Sequence, residues 1–353
     1  MKLLINQKEF AKGLRIVKDV CNKRSLQPIL STVLIETVDG GIKVYGTNID
    51  ESIVTSVEAK VEQQGKVCVN AEKLFEIVNC IDSPIELETS GEYLHIRAGK
   101  SKFKIMFINE SEYPKLDFIN EGDVLSLDAK AFKRAIKNVM ISVANDNNNV
   151  LGGVCFTAKD EKLELASTDG NRLSVDSIEC SNADIQIVVP KNVLLNIIKN
   201  DFENIEIIAN DKFVTFMADN TIYKSNLLNG QYPKYQQLIP QNTNFVAIDK
   251  MQLLKAIERV GIMVNEKTNI VKLMFKKDNL MLVADNVESG NAEESLDIDY
   301  KQDDLTIAFN YAYMLDFLRT TQSDVINVEL KQALSPTIFR GEFVYLLMPI
   351  QIK

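Results

Sequence analysis

The sequence predicts an α+β protein built from three tandem repeats, each with two helices packed on antiparallel strands. Three observations lead to this prediction. First, three segments open alike, with a short apolar strand and then an amphipathic helix, and they start at Leu3, Leu125 and Val246. Second, another strand and helix follow in each copy. Third, alternating strands joined by tight turns lie between the two helical units of each copy.

The first helix of each repeat has a start signal and one apolar face. The strands before these helices end at Asn6, Asp128 and Asp249, whose side-chain oxygens can cap a first helical turn. Apolar residues then recur at i, i+4 and i+7, which is the spacing of one buried helix face. They are Phe10, Leu14 and Val17 in the first copy, Phe132, Ile136 and Val139 in the second, and Leu253, Ile257 and Val260 in the third.

The second strand and helix set the length of the repeat. Their anchor residues, Val69, Val189 and Phe309, stand 120 residues apart twice over. Hairpin turns are predicted at 39–41, 159–161 and 277–279. A repeat of this length can hold its own core, so we predict three domains. Their predicted bounds are 1–122, 123–243 and 244–353. Three similar domains in a row are expected to form an arc.

The composition argues against most catalytic classes. The chain has 353 residues, 46% of them apolar, and its single histidine, His95, lies in an alternating strand pattern. A Ser-His-Asp triad, a Cys-His pair and most zinc sites need histidine or clustered cysteine. Glycine-rich phosphate loops are also missing from the sequence. We therefore expect a binding or scaffold protein with no metal and no cofactor.

Localisation follows from the apolar pattern and the cysteines. No apolar run is long enough to span a bilayer, and the N-terminus turns polar too early for a signal peptide. The five cysteines are scattered, and we expect them to be reduced core thiols. They are Cys21, Cys68, Cys80, Cys155 and Cys180. The expected compartment is the cytoplasm, with no membrane contact.

Positive charge concentrates in the first helix of each repeat. Residues 8–19, 130–137 and 250–259 carry net charges of +2, +4 and +2, whereas the whole chain carries −9. If these helices face the concave side of the arc, they form a basic lining that holds a duplex through its phosphates without reading sequence. The alternative is that they are ordinary solvated helix faces.

The two ends of the chain differ in charge. The segment 95–107 of the first repeat, predicted as one strand, carries Arg97, Lys100, Lys102 and Lys104, with apolar Phe103 and Ile105 among them. The third repeat carries the acidic segment 287–304, with Glu293 and Glu294. Opposite charge and apolar contact suit head-to-tail pairing, which two copies related by a twofold axis would make twice, closing a ring. The alternative is again two solvated faces.

Short motifs along the whole chain resemble the bacterial DNA sliding clamp family, the beta subunits of DNA polymerase III. They include "LQPIL" at 26–30, "GTNIDESI" at 46–53, "ASTDGNRLSV" at 166–175, "NGQYPKYQQLIP" at 229–240 and "FNYAYMLDFL" at 309–318. The resemblance implies a ring of two crescent-shaped subunits that encircles duplex DNA and is not catalytic. It implies as partners a clamp loader, the polymerase III catalytic subunit, other polymerases, ligase and mismatch-repair proteins.

The resemblance also implies a pocket for a short peptide, roughly Gln-x-x-Leu-Phe, carried by these partners. Apolar members would bury the anchors of the peptide, and polar members would lie at the rim. Carried over position by position, the pocket comprises Leu151, Thr168, Gly170, Asn171, Arg172, Leu173, Pro233, Gln237, Leu238, Asn310, Tyr313, Ser335, Leu346, Met348, Pro349 and Ile350. Taken alone, the stretch "TDGNRL" favours a plain turn in which Asp169 and Gly170 close a hairpin.

Two further residue sets complete the expectation. The DNA-binding residues, from the resemblance and the basic helices together, are Arg24, Asn149, Lys191, Lys12, Arg15, Lys133, Arg134, Lys137 and Lys255. The dimer interface is expected to contain Lys73, Arg97, Lys102, Phe103, Ile105, Ile262, Met263, Glu293 and Glu294.

Two hypotheses from other functional classes are also compatible with the sequence. One is a nuclease in which carboxylates such as Asp169 and Asp50 hold magnesium. The other is a monomeric adaptor that never encircles DNA.

Overall fold

The computed structural model describes residues 1–21, 26–118, 121–146, 149–240, 245–286 and 290–351. Within these residues there are six α-helices, two in each repeat, as predicted. They are α1 (Gln7–Lys18), α2 (Ala71–Asn79), α3 (Ala129–Met140), α4 (Lys191–Ile198), α5 (Lys250–Gly261) and α6 (Tyr311–Thr320).

Each repeat also contributes eight strands within the described ranges. The first repeat has β1 (Lys2–Ile5), β2 (Thr32–Val38), β3 (Gly41–Thr47), β4 (Glu51–Gln63), β5 (Lys66–Asn70), β6 (Ile85–Ser90), β7 (Tyr93–Ala98) and β8 (Ser101–Met106). The second has β9 (Asp123–Asp128), β10 (Gly153–Lys159), β11 (Lys162–Thr168), β12 (Arg172–Glu179), β13 (Ile185–Pro190), β14 (Asn204–Ala209), β15 (Phe213–Ala218) and β16 (Thr221–Asn226). The third has β17 (Phe245–Asp249), β18 (Ile270–Lys276), β19 (Asn279–Asn286), β20 (Gly290–Asp297), β21 (Leu305–Asn310), β22 (Val325–Glu329), β23 (Thr337–Arg340) and β24 (Val344–Leu347).

The helix starts and apolar faces follow the sequence pattern. The side chain of Asn6 accepts hydrogen bonds from the backbone N–H groups of Lys8 (2.9 Å) and Glu9 (3.3 Å), and Asp249 accepts one from Gln252 (2.8 Å). These bonds satisfy donors that a first helical turn leaves open. All nine residues of the predicted apolar stripes are at most 1% exposed.

The described chain forms two compact units. The first comprises Met1–Lys130 and Asn192–Leu227. Its strands join in the order β8-β7-β6-β1-β4-β16-β15-β14-β9. A branch leaves this sheet at β4, which also pairs with β3; β3 then pairs with β2, and β2 with β5. The long strand β4 therefore pairs with β16 of the second repeat, and the hydroxyls of Thr55 and Thr221 lie 2.8 Å apart at this junction.

The second unit comprises Ala131–Lys191 and Leu228–Lys353. One of its sheets runs β13-β10-β11-β12-β24-β23-β22-β17, and the other runs β20-β19-β18-β21. Here β12 of the second repeat pairs with β24, the last strand of the third repeat. The aromatic rings of Phe317 and Tyr345 stack 5.0 Å apart inside its core.

Two sequence-based expectations need correction. The basic segment 95–107 is not one strand, since β7 and β8 form a hairpin whose turn contains Gly99 at φ +57°. That left-handed conformation favours glycine and allows the tight turn. Cys80 is not a core thiol, because it follows the last turn of α2 and is exposed, whereas Cys21, Cys68 and Cys155 are buried. Cys180 is half-buried.

Among the residues described, none of the helices is both long and apolar enough to cross a bilayer.

Candidate functional site

The turn between β11 and β12 has a fixed shape. The Asp169 carboxylate accepts hydrogen bonds from the backbone N–H groups of Asn171 (3.0 Å) and Arg172 (3.1 Å). The Thr168 hydroxyl accepts one from the N–H of Gly170 (3.1 Å) and donates one to the carbonyl of Arg172 (2.7 Å). Gly170 has φ +89°, which a residue with a side chain adopts only with strain. Asp169 therefore shapes a turn, as the plain-hairpin reading of this stretch predicted.

An apolar cluster lies beside this turn. Leu173 of β12 and Leu346 of β24 are directly opposite each other and are 1% and 3% exposed. Leu151 packs against the same cluster. Tyr232 also belongs to it, and its hydroxyl accepts a hydrogen bond from the N–H of Thr168 (3.1 Å). The turn and the cluster are thus held together by a direct bond.

The exposed apolar residues flank the cluster. Leu238 is 52% exposed and lies between Tyr235 and Ile239, both of which contact the cluster. Met348 is 41% exposed, and its N–H donates to the carbonyl of Asn171 (2.9 Å). Of the predicted apolar pocket residues, Leu173 and Leu346 are therefore buried, while Leu238 and Met348 present apolar surface to solvent.

Arg172 connects the turn to α6. Its Nε donates to Asp169 (3.0 Å), its Nη1 donates to Asp316 (2.6 Å), and its Cζ lies 4.0 Å above the ring centre of Tyr313. Burial opposes the charged form of Arg172, but Tyr345 and the two aspartates outweigh burial and raise its pKa. The guanidinium is thus permanently charged and held on three sides.

The remaining predicted pocket residues lie at the start of α6, around the last strands, and in the segment 233–238. Asn310 caps α6 by accepting from the N–H groups of Ala312 (2.9 Å) and Tyr313 (3.3 Å). The N–H of Ile350 donates to the carbonyl of Ala308 in β21 (2.7 Å), which ties the C-terminal segment to that strand. Ser335 and Pro349 are half-buried, and Pro233 and Gln237 are exposed.

Sequence reasoning missed several residues of this site. Asp316, Tyr232, Tyr235 and Tyr345 carry its contacts but were not predicted. One signal was available for Asp316, because it lies three residues after Tyr313 and therefore on the same face of α6. The tyrosines needed knowledge of long-range contacts, such as the bond between Tyr232 and Thr168, which are 64 residues apart.

The basic helices expose several of the predicted charges. Lys12 and Arg15 on α1, Lys137 on α3 and Lys255 on α5 are exposed. Arg134 differs, since its Nε lies 3.7 Å from the buried carboxylate of Asp176. Its charge is partly compensated within the chain. Lys133 is half-buried.

Two of the other residues expected to contact DNA, Asn149 and Lys191, also form hydrogen bonds within the fold. Asn149 accepts a hydrogen bond from the N–H of Leu151 (3.2 Å), which starts a short 3₁₀ turn. The Lys191 ammonium donates to the carbonyl of Ala144 (3.3 Å), shortly after the end of α3. Arg24 lies outside the described residues.

Strand β8 is one of two edge strands that carry residues expected at the dimer interface. In the described residues β8 pairs with β7 alone. Lys102 is exposed on it, and Phe103 and Ile105 are half-buried. Arg97 of β7 bonds to Glu86 (3.1 Å) and Glu88 (2.7 Å), so its charge is already paired.

Strand β20 is the other edge, and among the described strands it pairs with β19 alone. Glu293 is exposed on it. Glu294 forms two hydrogen bonds to Arg259 of α5 (2.8 and 2.9 Å), and this contact lowers the pKa of Glu294. Near the end of α5, Ile262 is 81% exposed and Met263 is half-buried.

Lys73, also expected at the interface, lies on α2, where it pairs with Glu76 (3.3 Å).

The carboxylates proposed for a magnesium site are engaged separately. Asp169 belongs to the second unit and bonds within its own turn, whereas Asp50 belongs to the first unit and accepts from Asn226 (3.1 Å). In the ranges that the structure describes, no three His, Cys, Asp or Glu side chains gather as a metal ion would require.

Three family models match the chain in order. They describe the N-terminal, central and C-terminal domains of the DNA polymerase III beta subunit and match residues 1–117, 126–234 and 236–350. The beta sliding clamp of Synechococcus elongatus is 29% identical over 374 residues, with 100% of both chains covered. The sliding clamp structure from Bacillus subtilis is similar at 25% identity with a TM-score of 0.95, again over 100% of both chains. A Pseudomonas aeruginosa sliding clamp bound to griselimycin shares the fold, with a TM-score of 0.96 at 24% identity over 100% of both chains.

Proposed function

The chain belongs to the DNA polymerase III beta subunit family of DNA sliding clamps, and from this membership we propose how it performs that role. The protein is a non-catalytic clamp of the replication machinery. Two copies close into a ring around duplex DNA, and the ring holds partner proteins through a peptide site. The three predicted domains, 1–122, 123–243 and 244–353, correspond to the three repeats.

Strand pairing between repeats supports the ring. The fourth and eighth strands of the repeats are β4, β12 and β20, and β8, β16 and β24. Within the chain β16 pairs with β4 and β24 pairs with β12, always an eighth strand against the fourth strand of the preceding repeat. By the same rule β8 pairs with β20 of a second copy. A homodimer makes this contact twice and leaves neither edge unpaired.

The charges on the two edges agree with this pairing. Lys102 and Lys104 project from β8, while Glu293 and Asp297 project from β20, and all four are exposed. Opposite charges steer the encounter, and the apolar residues Phe103 and Ile105 meet Ile262 and Met263. Arg97 and Glu294 contribute less, because each already has a partner in its own chain.

DNA binding rests on exposed cations without base readout. Lys12, Arg15, Lys137 and Lys255 are spread over the first helices of the three repeats and are exposed. Contacts of this type attract phosphates and carry no sequence information, so they are compatible with sliding. Lys133, Arg134, Lys191, Asn149 and Arg24 complete the proposed DNA-binding set.

A peptide site beside the 168–172 turn is the second part of the proposal. The observation that carries it is the pair of exposed apolar residues, Leu238 and Met348, flanking one apolar cluster. Methionine is flexible and adapts to different apolar anchors, which suits a site used by many partners. The proposed partners are polymerase III, other polymerases, ligase, mismatch-repair proteins and the clamp loader, all in the cytoplasm.

The site is tested by fluorescence anisotropy with a labelled Gln-Leu-Asp-Leu-Phe peptide. We expect a roughly micromolar Kd for the wild type and a Kd about tenfold weaker for Met348→Ala, because the truncation removes one of the two exposed apolar side chains of the site. Met217→Ala is the matched control, since Met217 is a 38% exposed methionine of the first unit. Wild-type binding that Met348→Ala leaves unchanged, or no binding at all, would contradict the proposed site.

A further inference from the structure

The guanidinium of Arg172 is mostly buried and is held by groups of its own chain. The Arg172 side chain is 11% exposed, and it forms one ion pair with Asp169 (3.0 Å) and one with Asp316 (2.6 Å). The sequence-based expectation was that Arg172 offers a polar contact to a bound peptide. These carboxylates take two of its five N–H donors, and only 11% of the side chain is exposed, so little of the guanidinium is accessible to a ligand.

One face of the same guanidinium covers Tyr313. The distance from Arg172 Cζ to the centre of the Tyr313 ring is 4.0 Å, a stacked cation–π contact. Tyr313 and Asp316 are three residues apart on α6, so the residue that receives the stack and the residue that holds the arginine share one helix face. The Tyr345 hydroxyl donates a hydrogen bond to the Tyr313 carbonyl (2.9 Å), which ties this turn of α6 to β24.

We propose that Asp316 is a positioning residue of the peptide site. It holds Arg172 in place, and Arg172 in turn holds the ring of Tyr313 as one wall of the site. Arg172 then serves as a support for this wall and not as the partner of an acidic peptide side chain. The inference rests on the peptide site proposed above.

Local charge supports this division of roles. Arg172 contributes one positive charge, and Asp169 and Asp316 contribute two negative charges within hydrogen-bonding distance of it. An acidic peptide group would approach a cluster that is negative overall. Electrostatic attraction between the peptide and this cluster is therefore not expected.

The experiment compares two peptides, Gln-Leu-Asp-Leu-Phe and Gln-Leu-Asn-Leu-Phe, which differ only in charge. Kd is measured by fluorescence anisotropy for the wild type, Asp316→Asn and Asp316→Glu. Asp211→Asn is the control, because Asp211 is an exposed aspartate in the turn between β14 and β15 of the first unit. Melting temperatures are recorded for every variant.

We expect Asp316→Asn to weaken both peptides equally, by about fivefold, as loss of a partly exposed ion pair allows. Asp316→Glu, which keeps the carboxylate, should restore binding to within about twofold of the wild type. The two peptides carry different charges. An equal loss of affinity for both therefore indicates that the Tyr313 wall has moved, whereas loss of a charge contact would affect only the acidic peptide. Rescue by glutamate is a result that general destabilisation does not produce.

Three results would overturn the inference. They are wild-type affinity in Asp316→Asn, a change confined to the acidic peptide, and failure of Asp316→Glu to recover binding. If Asp316→Asn does not fold, Arg172→Lys replaces it, because lysine keeps the charge but cannot bridge two carboxylates while stacking. For Arg172→Lys, an equal loss of affinity for both peptides supports the inference, and unchanged affinity overturns it. Absence of wild-type binding to either peptide is a distinct outcome, which refutes the peptide site and the inference with it.

Discussion

Leu173 and Leu346 lie opposite each other on β12 and β24 and are both buried. Their contact joins the second repeat to the end of the chain, because β12 is the fourth strand of one repeat and β24 is the eighth strand of the next. The polar turn from Thr168 to Arg172 leads directly into this contact. The candidate peptide site is therefore built on a junction between repeats.

Leu346→Ala should destabilise the protein. Removal of a buried leucine costs about 2–5 kcal/mol, from lost burial and from the cavity that remains. Leu238→Ala, at a leucine that is 52% exposed, should change the free energy of unfolding by less than about 0.5 kcal/mol. Urea denaturation of both variants checks this. Equal stability of the two would show that the β12 to β24 junction is not part of the core.

Reversing two charges on β8 should weaken the dimer. In the proposed dimer, Lys102→Glu with Lys104→Glu places negative charge opposite the acidic strand β20, so we expect the dimer Kd to rise by about tenfold or more. Sedimentation velocity over a range of concentrations measures it. Lys159→Glu with Lys162→Glu makes the same charge change at the β10 to β11 hairpin and should leave the dimer intact. An unaltered dimer Kd in the β8 variant would remove β8 from the interface.

Glu51 should make stability depend on pH near neutrality. It is 6% exposed, and burial, with the nearby Asp50, raises its pKa to about 7. The nearest partner of its carboxyl is the Asn196 amide at 3.5 Å, and Asp19 and Lys199 line the same 420 Å³ cavity. Because the folded pKa lies above the unfolded value, the stabilisation is full below about pH 4.5 and is lost as pH rises through about 7.

Glu51→Gln removes this dependence. Its free energy of unfolding relative to the wild type should rise between pH 4.5 and pH 8, by a total on the order of 3 kcal/mol. Denaturation of both proteins across this pH range tests the expectation. A constant difference between them would mean that Glu51 titrates normally.

Removing exposed cations from α1 should reduce the salt dependence of DNA binding. Lys12→Ala and Arg15→Ala should each lower the slope of log K against log salt by about 1, because each phosphate contact releases counterions. The measurement is a salt titration of DNA binding. Lys162→Ala, an exposed lysine on a hairpin, is the control. Identical slopes in all variants would exclude α1 from the DNA contact.

The parts of the fold that local pattern determines were predictable from the sequence. Stripes such as Phe10, Leu14 and Val17 place a helix and its buried face, and Asn6 marks its start. The order of strands and helices in each repeat follows from the same signals. These features depend on neighbours along the chain, which the sequence displays directly.

Pairing between repeats was not predictable in this way. Nothing in the local pattern of β4 indicates that it pairs with β16, because the pairing joins residues that are far apart in the sequence, such as Thr55 and Thr221. The same holds for the partners of Arg172. Its expected role at a rim changed once Asp316, 144 residues away, was found beside it. Long-range ion pairs need the fold before they can be recognised.

The central claim, a ring that encircles DNA, is tested most directly by DNA topology. The protein is loaded onto nicked circular plasmid with a bacterial clamp loader and ATP, separated by gel filtration, and the plasmid is then cut at one restriction site. We expect the protein to remain on the circle, to leave after linearisation, and to stay on linear DNA whose ends are blocked by a bulky end-binding protein. Retention on linear DNA with free ends would contradict the ring.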